Sequence, residues 1–199
     1  MPAVDPRYLA LLKEGEMNMC IKVSALLTTL MVSLPAMGQA QGELTSATDI
    51  TREQVQTVLE GMGESIDRQL KVVDVGAGNV AVGILHRDSD NDTDGEHRGL
   101  IHMHISETYV VLEGGGTLLT GGEIVNPGEP SEGGIVIGPS FSAESRNGQV
   151  REISAGDIVV IPAGVLHSWL EIPDEVTYLS IRGDPDRVLP AGFVNPEIN

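Results

Sequence analysis

The chain has 199 residues, which is enough for one domain of ordinary size with a single buried core. It carries 12 Lys and Arg residues against 29 Asp and Glu residues, and this formal net charge of -17 argues against binding to nucleic acids or anionic membrane surfaces. Cys20 is the single cysteine, which excludes an intramolecular disulfide framework and a zinc site built from several thiolates.

The first forty residues have the pattern of a secretory signal. Residues 23–35 (VSALLTTLMVSLP) are apolar or small, follow Lys22 and precede the small residues at 36–40. The run is shorter than the roughly 20 apolar residues of a membrane span. We therefore predict a signal-peptide region over residues 1–40, a periplasmic or secreted mature protein, and no stable membrane insertion after signal removal. A buried N-terminal helix is the alternative interpretation.

Residues 1–16 carry a net charge of -1, whereas a signal peptide begins with positive charge. One hypothesis is that translation starts at Met17 or Met19, so that residues 1–16 are an upstream extension. N-terminal sequencing of the precursor tests this. Cys20 precedes the apolar run and should be removed with the signal. Any metal in the mature chain must then bind to imidazole and oxygen ligands.

The mature chain begins with an N-terminal segment, residues 41–68, that contains one predicted helix. Thr51 and Gln54 fit a capping box, and Gly61 is a natural helix terminator. We predict a helix from Arg52 to Glu60 that lies outside the main core.

After the helix, the pattern changes to alternating or continuously β-branched segments separated by Gly, Asn and Pro turns. The predicted strands are Gln69–Val75, Asn79–Arg87, Leu100–His104, Thr108–Leu112, Thr117–Thr120, Ile135–Ile137, Val150–Ser154, Asp157–Ile161, Val165–Ile172 and Val176–Arg182. Short strands at this spacing, together with 24 Gly residues, indicate an all-β antiparallel barrel or jelly roll. We place the barrel at residues 69–185 and a C-terminal tail at 186–199. The Gly-, Pro- and Ser-rich stretch Asn126–Glu144 is predicted to be a surface loop near the barrel mouth.

The histidines are the main candidates for chemistry. His102 and His104 would share one face of a strand, because side chains at i and i+2 point the same way. Glu107 joins them only if the chain bends between two strands. His167 follows the turn Pro162–Gly164, which can deliver it to the other side of a barrel. Three imidazoles and one carboxylate suit a divalent first-row transition metal.

Two stretches that contain these residues resemble the two motifs of the cupin superfamily. In HMHISETYVVLEGGGTL, the two histidines and the spacing from Glu107 to Gly114 match the first motif, whereas its leading glycine is absent and only two residues separate His104 from Glu107. In GDIVVIPAGVLHSWLE, the second motif is matched at Gly156, Pro162, Gly164 and His167, whereas its final asparagine is replaced by Glu171.

The resemblance implies a single-domain cupin β-barrel, also described as a double-stranded β-helix or jelly roll. It also implies one divalent transition metal (Fe, Mn, Zn, Cu or Ni) held by His102, His104, Glu107 and His167. The chain is similar to exported bacterial single-domain cupins, a resemblance that implies a fold and a metal but no reaction.

Besides a structural or storage role, which some barrels of the cupin superfamily serve, two classes of function remain open at this point. The first is a metal-dependent enzyme that acts on a small oxygenated organic molecule, with dioxygenase chemistry as first choice and isomerase or lyase chemistry next. In this hypothesis Tyr109 is the candidate for proton transfer, although its ring could instead fill the barrel. The second is a non-catalytic module that binds a small molecule or a sugar. A homodimer formed through sheet edges is compatible with both.

Three weaker signals have alternatives of their own. Trp169 is expected to form a pocket wall, and Arg182 could meet a substrate carboxylate or form an exposed salt bridge. The loop Asp88–Gly95 resembles the first half of a calcium loop, but Ile101 replaces the carboxylate of the twelfth position. A plain solvated hairpin loop is the other interpretation.

Overall fold

A computed structural model describes residues 46–90 and 98–198 of the chain. The predicted signal region, residues 1–40, lies outside the described residues, as do Asp92, Asp94 and Gly95 of the calcium-loop candidate. No helix in the described part of the chain is both long and apolar enough to span a membrane.

Helix α1 spans Arg52–Glu60, as predicted. The Thr51 side chain accepts a hydrogen bond from the Gln54 backbone, and the Gln54 side chain accepts one from the Thr51 backbone, which completes the capping box. Val58 is buried against Leu70 and Ile84, in a cluster separate from the main core. The helix therefore packs on one side of the barrel.

The described residues after α1 contain nine strands, and every pairing among them is antiparallel. They are β1 Asp67–Asp74, β2 Asn79–Asp90, β3 Arg98–His102, β4 Ser106–Thr120, β5 Glu123–Val125, β6 Ser140–Arg146, β7 Gln149–Ser154, β8 Ile158–Ile161 and β9 His167–Asp184. One layer has the order β1-β2-β9-β4-β8 and the other the order β7-β4-β9-β3-β6-β5. This arrangement confirms the prediction of an all-β barrel.

Strands β4 and β9 belong to both layers, and each replaces two predicted strands. The predicted break at Gly114 is instead a bend, where the backbone has φ of 68° and the register with β9 shifts. A Cβ at this position would collide with the carbonyl oxygen of Glu175, so the close approach of β9 requires glycine. Strand β9 likewise continues through a predicted break, because it includes the exposed Pro173.

The stretch Asn126–Glu144 differs most from prediction. The predicted strand Ile135–Ile137 is wrong, because Gly133 and Gly134 have positive φ and turn the chain into the single helical turn α2, Gly134–Ile137. Strand β6 was not predicted, since its sequence SFSAESR lacks a run of apolar residues, yet it pairs with β3 along its length. Strand β5 was also missed and pairs with β6.

The main core lies between the two layers and is formed by one cluster of buried side chains: Leu85, Tyr109, Val111, Leu118, Ile153, Val159, Ile161, Ile172, Val176 and Tyr178. The C-terminal tail runs back along β1, where the amide of Val72 donates to the carbonyl of Phe193 at 3.0 Å and that of Asn195 to Leu70 at 2.8 Å. A short 3-10 helix, Pro196–Ile198, follows.

Candidate metal centre

Three side chains from three different strands meet inside the barrel. His102 is the last residue of β3, Glu107 lies near the start of β4, and His167 is the first residue of β9. The Glu107 Oε2 atom lies 3.1 Å from His102 Nε2 and 3.2 Å from His167 Nε2. Their side chains are only 4%, 2% and 7% exposed for His102, Glu107 and His167 respectively. This cluster could hold a metal ion.

The carboxylate of Glu107 is oriented by groups on both of its oxygens. Oε1 accepts hydrogen bonds from Ser180 Oγ at 2.7 Å and from Arg182 Nε at 3.1 Å. Oε2 accepts one from the Tyr109 hydroxyl at 3.2 Å. Because Ser180 and Arg182 occupy Oε1, the other oxygen is directed toward the two imidazoles.

The second ring nitrogen of each histidine identifies where its proton lies. His167 Nδ1 is 3.1 Å from the carbonyl oxygen of Val165, which can only accept, so this nitrogen is protonated. His102 Nδ1 is 3.0 Å from Ser140 Oγ, whose own hydrogen is donated to the Gly138 carbonyl at 2.9 Å. Both rings therefore carry their proton on Nδ1 when neutral and present the Nε2 lone pair to the centre of the cluster.

The donor set fits a divalent cation. With neutral rings, two nitrogen lone pairs face a carboxylate oxygen at hydrogen-bond distance with no proton between them. Only a second proton on a ring or a cation makes these contacts favourable. Two imidazoles and one carboxylate are a common ligand set for divalent transition metals, and backbone or hydroxyl partners on the outer ring nitrogens are the usual support of such ligands.

The surrounding groups also fix the ionisation of the cluster. Burial would raise the pKa of Glu107, but the contacts with His102 and His167 and the charge of Arg182 outweigh it and hold this pKa well below its usual range. Burial, together with the charge of Glu107, raises the pKa of Tyr109 well above its usual range. Tyr109 therefore stays protonated and can donate at neutral pH.

His104 lies outside this cluster. Strand β3 ends at His102, and the chain bends at Met103 and His104, so the two histidines do not share a face. The side chain of His104 is 39% exposed, and its Nδ1 lies 2.8 Å from Asp186 Oδ2. The structure thus brings together three of the four residues predicted as ligands.

Arg182 has neither of the two roles considered from the sequence, which were a contact with a substrate carboxylate and an exposed salt bridge. Its side chain is buried, so the expected exposed salt bridge is wrong. Its three nitrogens are engaged by Glu107, by Gln69 Oε1 at 2.6 Å and by Asp67 Oδ2 at 2.5 Å. It therefore supports the candidate ligand Glu107, and these hydrogen bonds occupy its guanidinium.

A cavity of about 530 Å³ opens beside the cluster. Tyr109, Tyr178 and Trp169 form an aromatic wall, with ring centroids 4.5 Å apart for the two tyrosines and 5.7 Å for Trp169 and Tyr178. Val136 and Ile137 of α2 also line the cavity. Its volume suits a small organic molecule.

Several residues around the cluster were not singled out from the sequence. Ser140 lies in the polar stretch that was assigned to a loop, and Asp67 precedes the predicted start of β1. Tyr178 and Arg87 face the cavity from strands that were predicted. The alternation of side chains in β2 and β9 is the signal that could have placed these two inside the barrel.

Comparisons with solved structures return matches at low sequence identity. The protein BH2720 from Bacillus halodurans is 16% identical, with a TM-score of 0.40, and the match covers 76% of this chain and 91% of that one. A Klebsiella pneumoniae protein with a double-stranded β-helix domain is 17% identical, with a TM-score of 0.34 and coverage of 60% and 79%. The Cnp3 cupin domain of Schizosaccharomyces pombe is 8% identical, with a TM-score of 0.34 and coverage of 59% and 64%.

No protein-family model matches the chain, and no curated protein sequence matches it.

Proposed function

We propose that this protein is a metal-dependent enzyme that acts on a small oxygenated organic molecule, with dioxygenase chemistry as first choice and isomerase or lyase chemistry next. The observation that carries the proposal is the position of two imidazoles and one carboxylate beside a cavity of about 530 Å³. A two-histidine, one-carboxylate set with open positions is typical of non-haem Fe(II) oxygenases.

His102, Glu107 and His167 would hold the metal. When bound there, the metal supplies Lewis-acid polarisation of a carbonyl or carboxylate, and redox chemistry with dioxygen if it is iron, manganese or copper. The chain's own residues supply the surroundings. Aromatic side chains line the cavity, and Arg182 and Ser180 hold the carboxylate of Glu107 by hydrogen bonds.

Tyr109 is the proposed proton donor. Its hydroxyl lies on the cavity, 3.2 Å from Glu107 Oε2, and remains protonated at neutral pH. Replacing Tyr109 with Phe removes the proton and leaves the ring, so kcat should fall by about 10²- to 10⁴-fold while metal content is unchanged. If the ring only fills the barrel, the Tyr109→Phe protein will keep its kcat.

The proposal is tested by loading the purified protein separately with Fe(II), Mn(II), Cu(II), Ni(II) and Zn(II). Each form is then screened with small keto acids, hydroxy acids and phenols for oxygen consumption and product formation. The proposal predicts turnover with at least one metal and substrate class, and loss of turnover in His167→Ala. A metal-free protein that binds these compounds without converting them would support the non-catalytic binding module instead.

We also propose that the protein is exported. The support is the order of Lys22, the apolar run 23–35 and the small residues 36–40. Cleavage after Gly38 or Ala40 is expected, so N-terminal sequencing of protein recovered from the periplasm or the medium should give a start at Gln39 or Gln41. Recovery of the unprocessed chain from the cytosol alone would contradict export.

A further inference from the structure

Arg87 lies on the cavity wall and has no role in the cluster described above. It follows Leu85 by two residues in β2, so both side chains face inward, and both line the cavity. Arg87 is half-buried, and its Nε atom has no hydrogen-bond partner among the residues that the structure describes. The described residues also place no carboxylate in ion-pair contact with it.

The described carboxylates that line the cavity do not pair with Arg87. Glu107 is bonded to Ser180 and Arg182. Asp67 accepts from Arg182 through Oδ2, and its buried Oδ1 has no donor in the described part of the chain, so Arg87 does not bond to it. Asp90 is exposed at the end of β2.

An arginine in this environment needs an anionic partner. A guanidinium keeps its charge at all physiological pH values, and a half-buried charge is stabilised by a counter-ion. Its planar array of N–H donors matches a carboxylate, which accepts two parallel hydrogen bonds. The open cavity is the side from which such a partner can reach Arg87.

We propose that Arg87 binds the carboxylate of a small organic acid whose body lies against Tyr178 and Trp169 and extends toward His102, Glu107 and His167. The Tyr178 hydroxyl lies beside the Arg87 guanidinium and accepts a hydrogen bond from Trp169 Nε1 at 3.3 Å. The carboxylate anchor and the aromatic wall are thus adjacent. This assignment makes a small organic acid the substrate class of the proposed enzyme. Its relevance to catalysis rests on the proposed function.

Arg98 provides a matched control. It also lines the cavity, but its guanidinium is engaged by Glu144 at 3.3 Å and by the backbone oxygens of Asn126 and Ser142, each at 3.1 Å. It therefore has its acceptors within the protein. Removing Arg98 changes the charge of the cavity by the same amount as removing Arg87.

The test measures binding of matched acids and amides: acetate and acetamide, pyruvate and pyruvamide, benzoate and benzamide. Trp169 is the single tryptophan of the chain and lines the cavity, so its fluorescence reports occupancy. The titrations use the purified protein as isolated and after removal of metal by a chelator, because a metal could itself bind a carboxylate. Metal content is measured on every sample.

We expect at least one acid to bind about tenfold more tightly than its amide in the chelated protein, as a charge-assisted pair of hydrogen bonds requires. Arg87→Met should abolish this preference, Arg87→Lys should retain part of it, and Arg98→Met should retain it in full. Metal content should be the same in all four proteins.

The assignment is overturned if no acid binds better than its amide, if none of the probes binds, or if the preference survives in Arg87→Met. Its failure is distinguishable from failure of the proposed function. A protein that holds metal and turns over a substrate, but does not prefer acids, contradicts the assignment alone. A protein that prefers acids through Arg87 but takes up no metal contradicts the proposed enzyme alone.

Discussion

At the scale of single residues, Glu107 organises the candidate centre. One of its oxygens is held by Ser180 and Arg182, and the other faces His102 and His167. Each imidazole is in turn fixed through its outer nitrogen. The cluster is therefore preorganised by neutral and cationic donors, and no ligand residue depends on an exposed side chain for its orientation.

Removing Arg182 should be strongly destabilising. Arg182→Met leaves Glu107 and Asp67 without their shared cation in the interior, which should lower the free energy of unfolding by about 3–5 kcal/mol. Ser180→Ala removes one hydrogen bond from the same oxygen of Glu107 and should cost only about 1–3 kcal/mol. Urea unfolding of both variants measures the difference, and equal losses would contradict this role of Arg182.

The depressed pKa of Glu107 predicts a specific pH dependence of stability. Because the folded pKa lies well below the ordinary value of 4.5, the unfolded chain takes up this proton first as the pH falls. The contribution of Glu107 is therefore complete above about pH 4.5 and is lost as the pH falls toward its folded pKa. In chelated protein, the Tm of the wild type should fall more steeply below this pH than that of Glu107→Gln. Parallel Tm profiles would contradict the prediction.

The ligand residues show how far single positions are predictable. Glu107 and His167 were identified from the motif spacings, and the structure brings both to one point with His102. His104 was grouped with His102 on the assumption that the strand continues. Strand β3 ends two residues earlier than predicted, and its end depends on its partners. Here the Gly164 amide donates to the carbonyl of His102, and the Met103 amide donates to the carbonyl of Pro139. Those partners lie far away in sequence.

At the scale of elements, the bent strands β4 and β9 shape the barrel. Each crosses from one layer to the other, and the pair is joined along most of its length. The bend in β4 places Glu107 and Tyr109 in one layer and Leu118 in the other. This geometry encloses the cavity between the two layers.

Gly114 should be intolerant of a side chain. Gly114 and Gly121 have nearly the same φ, 68° and 69°, but a Cβ would meet Glu175 at Gly114 and nothing within 4 Å at Gly121. Gly121→Ala should therefore cost only the left-handed backbone penalty of about 1–2 kcal/mol. Gly114→Ala should cost about 1–3 kcal/mol more, because β9 must move. Chemical unfolding that gives equal losses would contradict the close approach.

Elements with local signals were predictable, and elements that depend on partners were not. Helix α1 begins and ends where its capping box and Gly61 predict, because these interactions are within the helix itself. Strand β6 has a polar sequence and exists through its pairing with β3. The apolar run Ile135–Ile137 has a strand composition, but the positive φ of Gly133 and Gly134 prevents extension.

At the scale of the whole molecule, the barrel brings distant parts of the sequence into one interior. Asp67 and Arg182 are 115 residues apart in the chain, and their contact joins β1 to the end of β9 beneath the cluster. No local pattern predicts such a pair. The fold class was predictable from strand spacing and motifs, whereas the network that supports Glu107 follows only from the three-dimensional arrangement.

The central claim is that His102, Glu107 and His167 form a metal centre that does not include His104. The most direct measurement is elemental analysis of the untagged protein and its His102→Ala, His167→Ala and His104→Ala variants, purified in parallel without chelator. The account predicts near one equivalent of a transition metal in the wild type and in His104→Ala, and loss of that metal in the other two variants. Loss of metal in His104→Ala as well, or a wild-type protein that neither contains nor takes up metal, would contradict it.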